Sequence, residues 1–193
     1  MGKHRKFNPD NLHRLNDPSR LQDLQPTMIW ENLKLQDPRV AVDIGAGTGL
    51  FSRAFLGLMD QGTVYACDIS PTMVEWMKDN LVSLYPEIIP VQMEENQVPL
   101  EDGLADLVYM INLHHELDHP LKTLKESRRL LKNGGKLMIA DWKPEPMTEG
   151  PGLEYRLDPE KIVRQLKKAD FERAAVHDGL PKHFLITAQK KAG

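Results

Sequence analysis

Residues 40–50 read Val-Ala-Val-Asp-Ile-Gly-Ala-Gly-Thr-Gly-Leu, an apolar run with one carboxylate followed by three glycines on alternate positions. The β-branched residues of the run favour a strand that is buried on both faces. After the glycines, apolar residues recur at the spacing of a helix as far as Leu58. The glycine turn is therefore predicted to follow the carboxyl end of a strand, where open α/β sheets bind their ligands.

The three glycines also restrict the kind of ligand. Gly45, Gly47 and Gly49 carry no side chain, so a ligand can closely approach the backbone amides at the start of the helix. The dinucleotide-binding fingerprint requires a glycine or alanine at its sixth position, which here is Leu50. A nicotinamide-dependent oxidoreductase is therefore disfavoured, and we expect no separate substrate domain.

Length and composition indicate one globular domain. The 193 residues suit a single core that buries roughly 70% of the surface of the unfolded chain. The net charge of -3 gives no overall electrostatic signal for nucleic-acid binding. Cys67 is the only cysteine, so the chain can form no internal disulfide and no cysteine-based metal cluster. Because no apolar run reaches the ~20 residues of a membrane span and the first residues lack an apolar signal segment, we expect a cytoplasmic protein.

A second strand with a final carboxylate is predicted at residues 62–68. Ser70 and Pro71 then have the character of a helix cap and a first helical residue. Asp68 lies 19 residues after Gly49, close to the offset of about 20 at which an acid binds ribose hydroxyls in nucleotide-binding folds. This spacing predicts that Asp68 binds a ribose.

Later apolar runs predict further strands. Residues 88–93 contain Pro90, which cannot donate to a neighbouring strand and therefore indicates an edge strand. Residues 106–112 have the continuous apolar centre of a buried parallel strand, and residues 136–141 form a fifth strand. A strand pair around residues 179–181 is predicted to close the fold.

Residues 115–119 read His-Glu-Leu-Asp-His, the pattern of a zinc protease. A zinc site of this type needs both histidines on one face of a continuous helix. Pro120 follows directly, and a proline in this position predicts a helix start. We therefore interpret the segment as a loop and predict no metal site.

Two of these stretches resemble motifs of a known family. Residues 42–49, Val-Asp-Ile-Gly-Ala-Gly-Thr-Gly, resemble the first motif of class I S-adenosylmethionine-dependent methyltransferases, and residues 130–141 resemble a late motif of the same family. The resemblance implies a Rossmann-like α/β fold, a three-layer sandwich around a seven-stranded, mostly parallel sheet of order 3-2-1-4-5-7-6 with strand 7 antiparallel. It also implies an N-terminal helical segment at residues 1–39 that covers the cofactor and acceptor site, followed by a methyltransferase domain at residues 40–193.

The resemblance implies S-adenosyl-L-methionine as the cofactor and suggests roles for individual residues. By likeness to the family, Glu94 would accept from the adenine amino group, Glu95 would offer its backbone N–H to the ring, and Asn112 would help to hold the methionine part. The family often has Gly-Asp-Ala where this chain has Met-Glu-Glu. The predicted cofactor-binding residues are Asp43, Gly45, Ala46, Gly47, Gly49, Asp68, Ile69, Glu94, Glu95 and Asn112.

The activity that the resemblance implies is methyl transfer to a small-molecule acceptor by in-line displacement. Tyr155, His114 and Asp141 are candidates for a base or for positioning the acceptor, and none of them is assigned as catalytic. One alternative is a non-catalytic module that binds S-adenosylmethionine or S-adenosylhomocysteine, and another is a macromolecular acceptor bound by the basic residues 3–6. Acceptor specificity is expected in the N-terminal helices and in residues 142–157, whose prolines and glutamates predict a loop or lid.

Overall fold

The computed structural model describes residues 12–191, apart from the side chain of His13, so the basic residues 3–6 lie outside the described part of the chain. No helix within residues 12–191 is long and apolar enough to cross a lipid bilayer. The helices are α1 (Leu12–Leu15), α2 (Ser19–Leu24), α3 (Pro26–Leu33), α4 (Leu50–Leu56), α5 (Pro71–Asn80), α6 (Pro120–Leu130) and α7 (Pro159–Lys168). The strands are β1 (Val40–Ile44), β2 (Thr63–Asp68), β3 (Ile88–Gln92), β4 (Ala105–Ile111), β5 (Leu131–Trp142), β6 (Phe171–His177) and β7 (His183–Lys190).

The strands form one sheet of order β3-β2-β1-β4-β5-β7-β6. Strands β1 to β5 pair with one another in parallel, and β7 runs antiparallel to both β5 and β6. This order confirms the predicted fold class. The direction of winding reverses between β1 and β4, so the carboxyl ends of these two strands border a crevice where such sheets bind ligands.

Helices cover both faces of the sheet. On one face, α2, α3 and α4 pack around Phe55 and Tyr109, whose ring centroids lie 4.8 Å apart in an edge-on arrangement. On the other face, α6 and α7 contribute Leu124 and Leu166 to a second core. The result is the predicted three-layer sandwich, and the loops at the carboxyl ends of the parallel strands remain free to build a site.

The two outer strands have irregular features. Pro90 lies in β3, which is an edge strand as the sequence predicts. At the other edge, the pairing of β6 with β7 shifts between Glu172 and Ala175, and Arg173 there has a φ of 53°. Pro90 leaves the pairing of β3 with β2 continuous over five residue pairs, whereas the pairing of β6 with β7 is interrupted at Arg173.

One strand boundary differs from the sequence prediction by more than one residue. We predicted a strand that begins at residue 136, but β5 already begins at Leu131. Leu131 is buried and pairs with Ala105 of β4, so the apolar side chain enters the sheet core instead of extending the helix. Gly134, with a φ of 77°, lies in the irregular start of the strand.

Substitution of a buried and of an exposed isoleucine tests how much central and edge strands contribute to the free energy of unfolding. Ile139 in the central strand β5 is 1% exposed, whereas Ile89 in the edge strand β3 is 40% exposed. Ile139→Ala should lower the free energy of unfolding by about 2–5 kcal/mol because it leaves a cavity, and Ile89→Ala should lower it by less than about 1 kcal/mol. Urea unfolding of both variants measures the difference, and equal losses would contradict the assignment of the core.

Candidate functional site

The turn between β1 and α4 brings the three predicted glycines together. Gly45, Gly47 and Gly49 have φ values of 75°, 57° and 72°, a region that residues with side chains disfavour. The amides of Gly45 and Ala46 donate to the Cys67 carbonyl at 2.8 and 3.0 Å, and the Gly49 amide donates to the Ala46 carbonyl at 2.9 Å. We expected amides of this turn to face a ligand, but these three bond within the protein. Neighbouring side chains lie within 3.1 Å of the position that a Cβ would occupy on each of the three glycines, so the packing around the turn also requires residues without a side chain.

Asp68 ends β2 and faces this turn. Its Oδ2 accepts from the Gly47 amide and its Oδ1 accepts from the Ser70 amide, both at 2.8 Å. Each carboxylate oxygen keeps a lone pair for a further donor such as a ribose hydroxyl. Burial raises the pKa of Asp68, against the lowering effect of the two amide bonds. Ser70 precedes α5 as predicted, although its side chain makes no capping hydrogen bond within the described chain.

The predicted adenine-binding residues lie at the same edge of the sheet as Asp68. Ile69 follows Asp68 and is 42% exposed, so it presents an apolar surface beside a buried carboxylate. The Glu94 amide donates to the Gln97 carbonyl at 3.0 Å, which closes a tight turn after β3. The Gln92 side chain connects the two segments, since its Nε2 donates to the Ile69 carbonyl at 2.7 Å. Glu94 is exposed and Glu95 is partly buried in this turn.

Two buried polar atoms near the ends of β1 and β4 have no hydrogen-bond partner among residues 12–191. Asn112 follows β4 with a φ of 55°, and its amide donates to the Ala140 carbonyl at 2.9 Å. Its Oδ1 and the Oγ1 of Thr48 are buried without a hydrogen bond to any described residue. Because buried polar atoms are nearly always paired, these two indicate a ligand or ordered water between the ends of β1 and β4.

Asp43 lies in β1, two residues before the turn, and is fully buried. Its Oδ2 accepts from the Ser52 hydroxyl at 2.7 Å, which ties β1 to α4. Burial raises the pKa of Asp43 to about 7, and the neighbouring Asp68 acts in the same direction. These contacts are internal, so the structure supports a role for Asp43 in shaping the turn, and direct contact with a cofactor stays a prediction.

Arg20 was not predicted as a site residue, but the fold brings it to the glycine turn. Its guanidinium lies 5.1 Å from the centre of the Phe51 ring, and Nη1 donates to the Leu15 carbonyl at 2.8 Å. Burial lowers the pKa of Arg20, while the charge of Asp43 opposes this change. Leu15 itself packs on the turn, since a Cβ added to Gly47 would lie 3.1 Å from its Cδ1. No sequence motif marks this segment, and only the tertiary contact reveals it.

A histidine–carboxylate pair connects the loop after β4 to the end of β5. His115 Nδ1 lies 2.7 Å from Asp141 Oδ1, and the His115 amide donates to Asp141 Oδ2 at 3.0 Å. His115 Nε2 lies 3.8 Å from a carboxylate oxygen of Glu116. Burial lowers the pKa of His115, but Asp141 and Glu116 together outweigh burial, so the pKa is raised overall. The pair therefore has the arrangement of a base held by a carboxylate.

The rest of the predicted His-Glu-x-x-His segment is not a zinc-protease helix. A 3-10 turn covers His114–Glu116, and α6 begins at Pro120, which confirms the loop interpretation. His114 Nε2 lies 2.9 Å from Gln165 Oε1 of α7, and burial lowers the pKa of His114. Tyr155, the third candidate, lies in the 3-10 turn Leu153–Tyr155 of the loop after β5.

The loop at residues 143–157, here called the lid, folds around one arginine. Arg156 is buried, and its guanidinium lies 5.6 Å from the centre of the Trp142 ring. It donates to four backbone carbonyls of the lid, those of Lys143, Glu145, Glu149 and Pro151. A Cβ added to Gly150 would lie 2.7 Å from the Trp142 ring, so the lid packs closely on this side chain. The predicted lid is therefore a compact unit on the end of β5.

The sheet order, the glycine turn and Asp68 define a Rossmann-like domain whose site suits an adenosine-containing cofactor. Residues 42–139 match the family described as a methyltransferase domain. The ubiquinone/menaquinone biosynthesis C-methyltransferase UbiE of Cupriavidus necator is 31% identical over 171 residues, which cover 76% of this chain and 70% of that protein. The chain belongs to the family of class I S-adenosylmethionine-dependent methyltransferases, as its motifs predict.

Two further similarities describe the extent of this relationship. The crystal structure of a SAM-dependent methyltransferase from Aquifex aeolicus matches with a TM-score of 0.88 and 31% identity, and the match covers 95% of this chain and 99% of that chain. The malonyl-[acyl-carrier protein] O-methyltransferase of Halalkalibacterium halodurans is 31% identical over 116 residues, or 58% of this chain and 42% of that protein. The chain spans about half the length of several curated relatives, between 42% and 52%.

The pKa of Asp43 generates a pH-dependent stability. An aspartate of the unfolded chain has a pKa of about 4, whereas burial raises the pKa of Asp43 to about 7. In the folded state Asp43 therefore stays protonated to a higher pH than in the unfolded chain. As pH rises from the lower to the higher of these two pKa values, the free energy of unfolding falls by up to about 4 kcal/mol. Asp43→Asn should remove this loss, so urea unfolding at a series of pH values should show the variant gaining on the wild type as pH rises. A difference that does not change with pH would contradict the assignment.

Proposed function

We propose that this protein transfers the methyl group of S-adenosylmethionine to a small-molecule acceptor. The observation that carries the proposal is the set of groups that meet at the carboxyl ends of β1, β2 and β4. These groups are the glycine turn, the carboxylate of Asp68 and the Oδ1 of Asn112, which is buried without a partner among residues 12–191. A ligand with a ribose and a charged amino-acid end has groups that suit each of these, and the membership in the methyltransferase family supports the same cofactor.

Separate residues suit separate parts of the cofactor. Asp68 can accept from both ribose hydroxyls, and Ile69 offers an apolar surface to the adenine ring. Asn112 Oδ1 suits the ammonium group of the methionine part, and the Arg20 guanidinium suits its carboxylate. The other proposed cofactor contacts are those predicted from the sequence, namely Asp43, Gly45, Ala46, Gly47, Gly49, Glu94 and Glu95.

In the proposed reaction the protein mainly has to position the two reactants, because the methyl group is already activated. Bound S-adenosylmethionine supplies a methyl group that its positive sulfur already activates. The protein then needs to hold the acceptor in line with the sulfur–methyl bond and to exclude water, and alignment of this kind can supply about 7–11 kcal/mol. The compact lid and the N-terminal helices that pack on the glycine turn are suited to both tasks.

His115 is the best-placed base for an acceptor that arrives protonated. Asp141 holds the ring through Nδ1 at 2.7 Å, which leaves Nε2 as the nitrogen that can take a proton from the acceptor. Asp141 also accepts from the amides of His115 and Trp142, so the carboxylate is itself fixed. Of the candidates named from the sequence, Asp141 therefore acts through a histidine as a positioning residue in this proposal.

The proposal also covers the N-terminal segment, the class of acceptor and the cellular location of the protein. Residues 1–39 are proposed to cover the cofactor and acceptor site, which the contact of Leu15 with Gly47 supports. The names of the relatives describe C-methyl and O-methyl transfer, so both carbon and oxygen acceptors fit the family. A small-molecule acceptor instead of nucleic acid, and a cytoplasmic location, remain predictions from composition.

Calorimetric titration with S-adenosylmethionine, S-adenosylhomocysteine and NAD tests the cofactor. The wild type should bind the two adenosyl compounds and not NAD. Asp68→Ala should weaken both by at least about tenfold because it removes charge-assisted hydrogen bonds, and Gly47→Val should weaken them by crowding the turn. The exposed Asp79→Ala on α5 is the matched control and should bind as the wild type does. Binding of NAD alone, or unchanged affinity in both site variants, would refute the site.

An assay for methyl transfer distinguishes an enzyme from a non-catalytic module that only binds the cofactor. With isotope-labelled S-adenosylmethionine and a metabolite extract, an enzyme should release a labelled small molecule together with S-adenosylhomocysteine. Binding without any labelled product would support the non-catalytic alternative.

His115→Gln tests the proposed base. Turnover should fall by about 100-fold or more, while the affinity for S-adenosylmethionine should stay within about twofold. Wild-type turnover should rise with pH through the raised pKa of His115, because the base acts when deprotonated, and the variant should lack this rise. The control is His119→Gln, an exposed residue before α6. A variant that keeps the wild-type pH profile would show that His115 is not the base.

A further inference from the structure

His183 is a buried histidine to which the proposed function assigns no role. It begins β7 opposite Trp142 of β5, and the two ring centroids lie 4.3 Å apart. The residue is 2% exposed, and neither Nδ1 nor Nε2 has a hydrogen-bond partner among residues 12–191. An imidazole always carries at least one N–H, so this position leaves a strong donor unpaired inside the protein.

The unpaired ring is costly in the conformation described. A buried donor or acceptor without a partner destabilises the folded state, because the group has lost its hydrogen bonds to water. Burial also lowers the pKa of His183 to about 4, so at neutral pH the ring is uncharged and offers one donor and one acceptor. A phenylalanine would keep the contact with Trp142 without this cost. The polar ring therefore suggests a second state of the protein in which its nitrogens are paired.

The residue before His183 joins α2 to the lid. Lys182 Nζ lies 3.0 Å from Asp23 Oδ2 on α2 and 2.8 Å from Glu149 Oε2 in the lid. The lysine is about one-third exposed, and ion pairs that are open to water contribute little to stability. Lys182 thus joins α2 to the lid through two weak ion pairs, while the lid also bonds to the Lys182 carbonyl through the Lys143 amide at 3.1 Å.

His183 lies at the same end of β5 as the proposed reaction centre, on the opposite face of the sheet. Its cross-strand neighbour Trp142 directly follows Asp141, the carboxylate that holds His115. Of the charged groups around His183, Asp141 affects its pKa the most, ahead of Asp23. A molecule that reaches His183 from the lid side would therefore lie at the end of β5, across the sheet edge from the proposed base.

We infer that His183 binds the methyl acceptor. When Lys182 releases α2 and the lid, the ring nitrogens of His183 become available and pair with a neutral polar group of the acceptor, such as a hydroxyl. Trp142 then contacts the apolar body to which that group is attached. The acceptor class is a compound with a hydroxyl on an apolar or aromatic frame. This inference takes its ligand from the proposed function, although the opening at Lys182 does not depend on it.

Chemical modification tests the opening. Diethyl pyrocarbonate acylates accessible neutral imidazoles, and peptide mass mapping follows each histidine separately. In the wild type, the exposed His119 should react quickly and His183 slowly. Lys182→Met should accelerate modification of His183 at least fivefold and leave the buried His114 unchanged. The matched control is Lys78→Met, which removes an exposed ion pair with Glu75 on α5 and should change neither rate. No acceleration at His183, or equal acceleration at His114, would overturn the inference.

A probe pair tests the pairing of the ring. In nitrogen-15 spectra of labelled histidine, phenol should shift the His183 ring nitrogens, whereas toluene, which has the same frame without the hydroxyl, should not. His183→Phe should abolish phenol binding, raise the melting temperature by a few degrees and leave S-adenosylmethionine affinity within about twofold. Equal effects of phenol and toluene, or a variant that melts several degrees lower, would show that the ring is a packing residue. The titration of wild-type protein with S-adenosylmethionine decides the proposed function separately.

Discussion

The site depends on the carboxylate of Asp68, which fixes the glycine turn to the end of β2. Its two oxygens accept the amides of Gly47 and Ser70, so β1, β2 and the starts of α4 and α5 meet at one residue. The bonds are made inside the protein, where amide donors have a large effect on a buried charge. With the turn held in this way, its backbone faces the crevice between β1 and β4, and the other candidate residues are arranged around it.

Much of the fold could be predicted from local sequence patterns that are compatible with only a few structures. Three alternate glycines after a buried strand have few structural uses, and Pro90 cannot occupy the middle of a sheet. The strand order came from the resemblance to the family, and the structure confirms it. The start of β5 was wrong because Leu131 is stabilised by its pairing with Ala105, a contact that no local pattern describes.

The site was only partly predictable because some of its residues come together through tertiary contacts that no local sequence pattern describes. The residues of the glycine turn and Asp68 belong to one short unit, so their spacing in sequence fixes their position in space. Arg20, Arg156 and His183 become meaningful only through tertiary contacts. The ion pair between Asp23 and Lys182 joins residues 159 positions apart, and the pairing of His115 with Asp141 depends on the neighbouring positions of β4 and β5. Such contacts are set by the sheet order and not by a motif.

The irregular edges of the sheet have a consequence for the behaviour of the protein at high concentration. A regular outer strand exposes a row of donors and acceptors to which a strand of another molecule can add. In β3 the ring of Pro90 removes one donor, and in β6 the bulge at Arg173 interrupts the repeat and places a positive charge at the rim. The two outermost strands are thereby protected against edge-to-edge aggregation, which matters for a protein whose central strands are rich in β-branched and apolar residues.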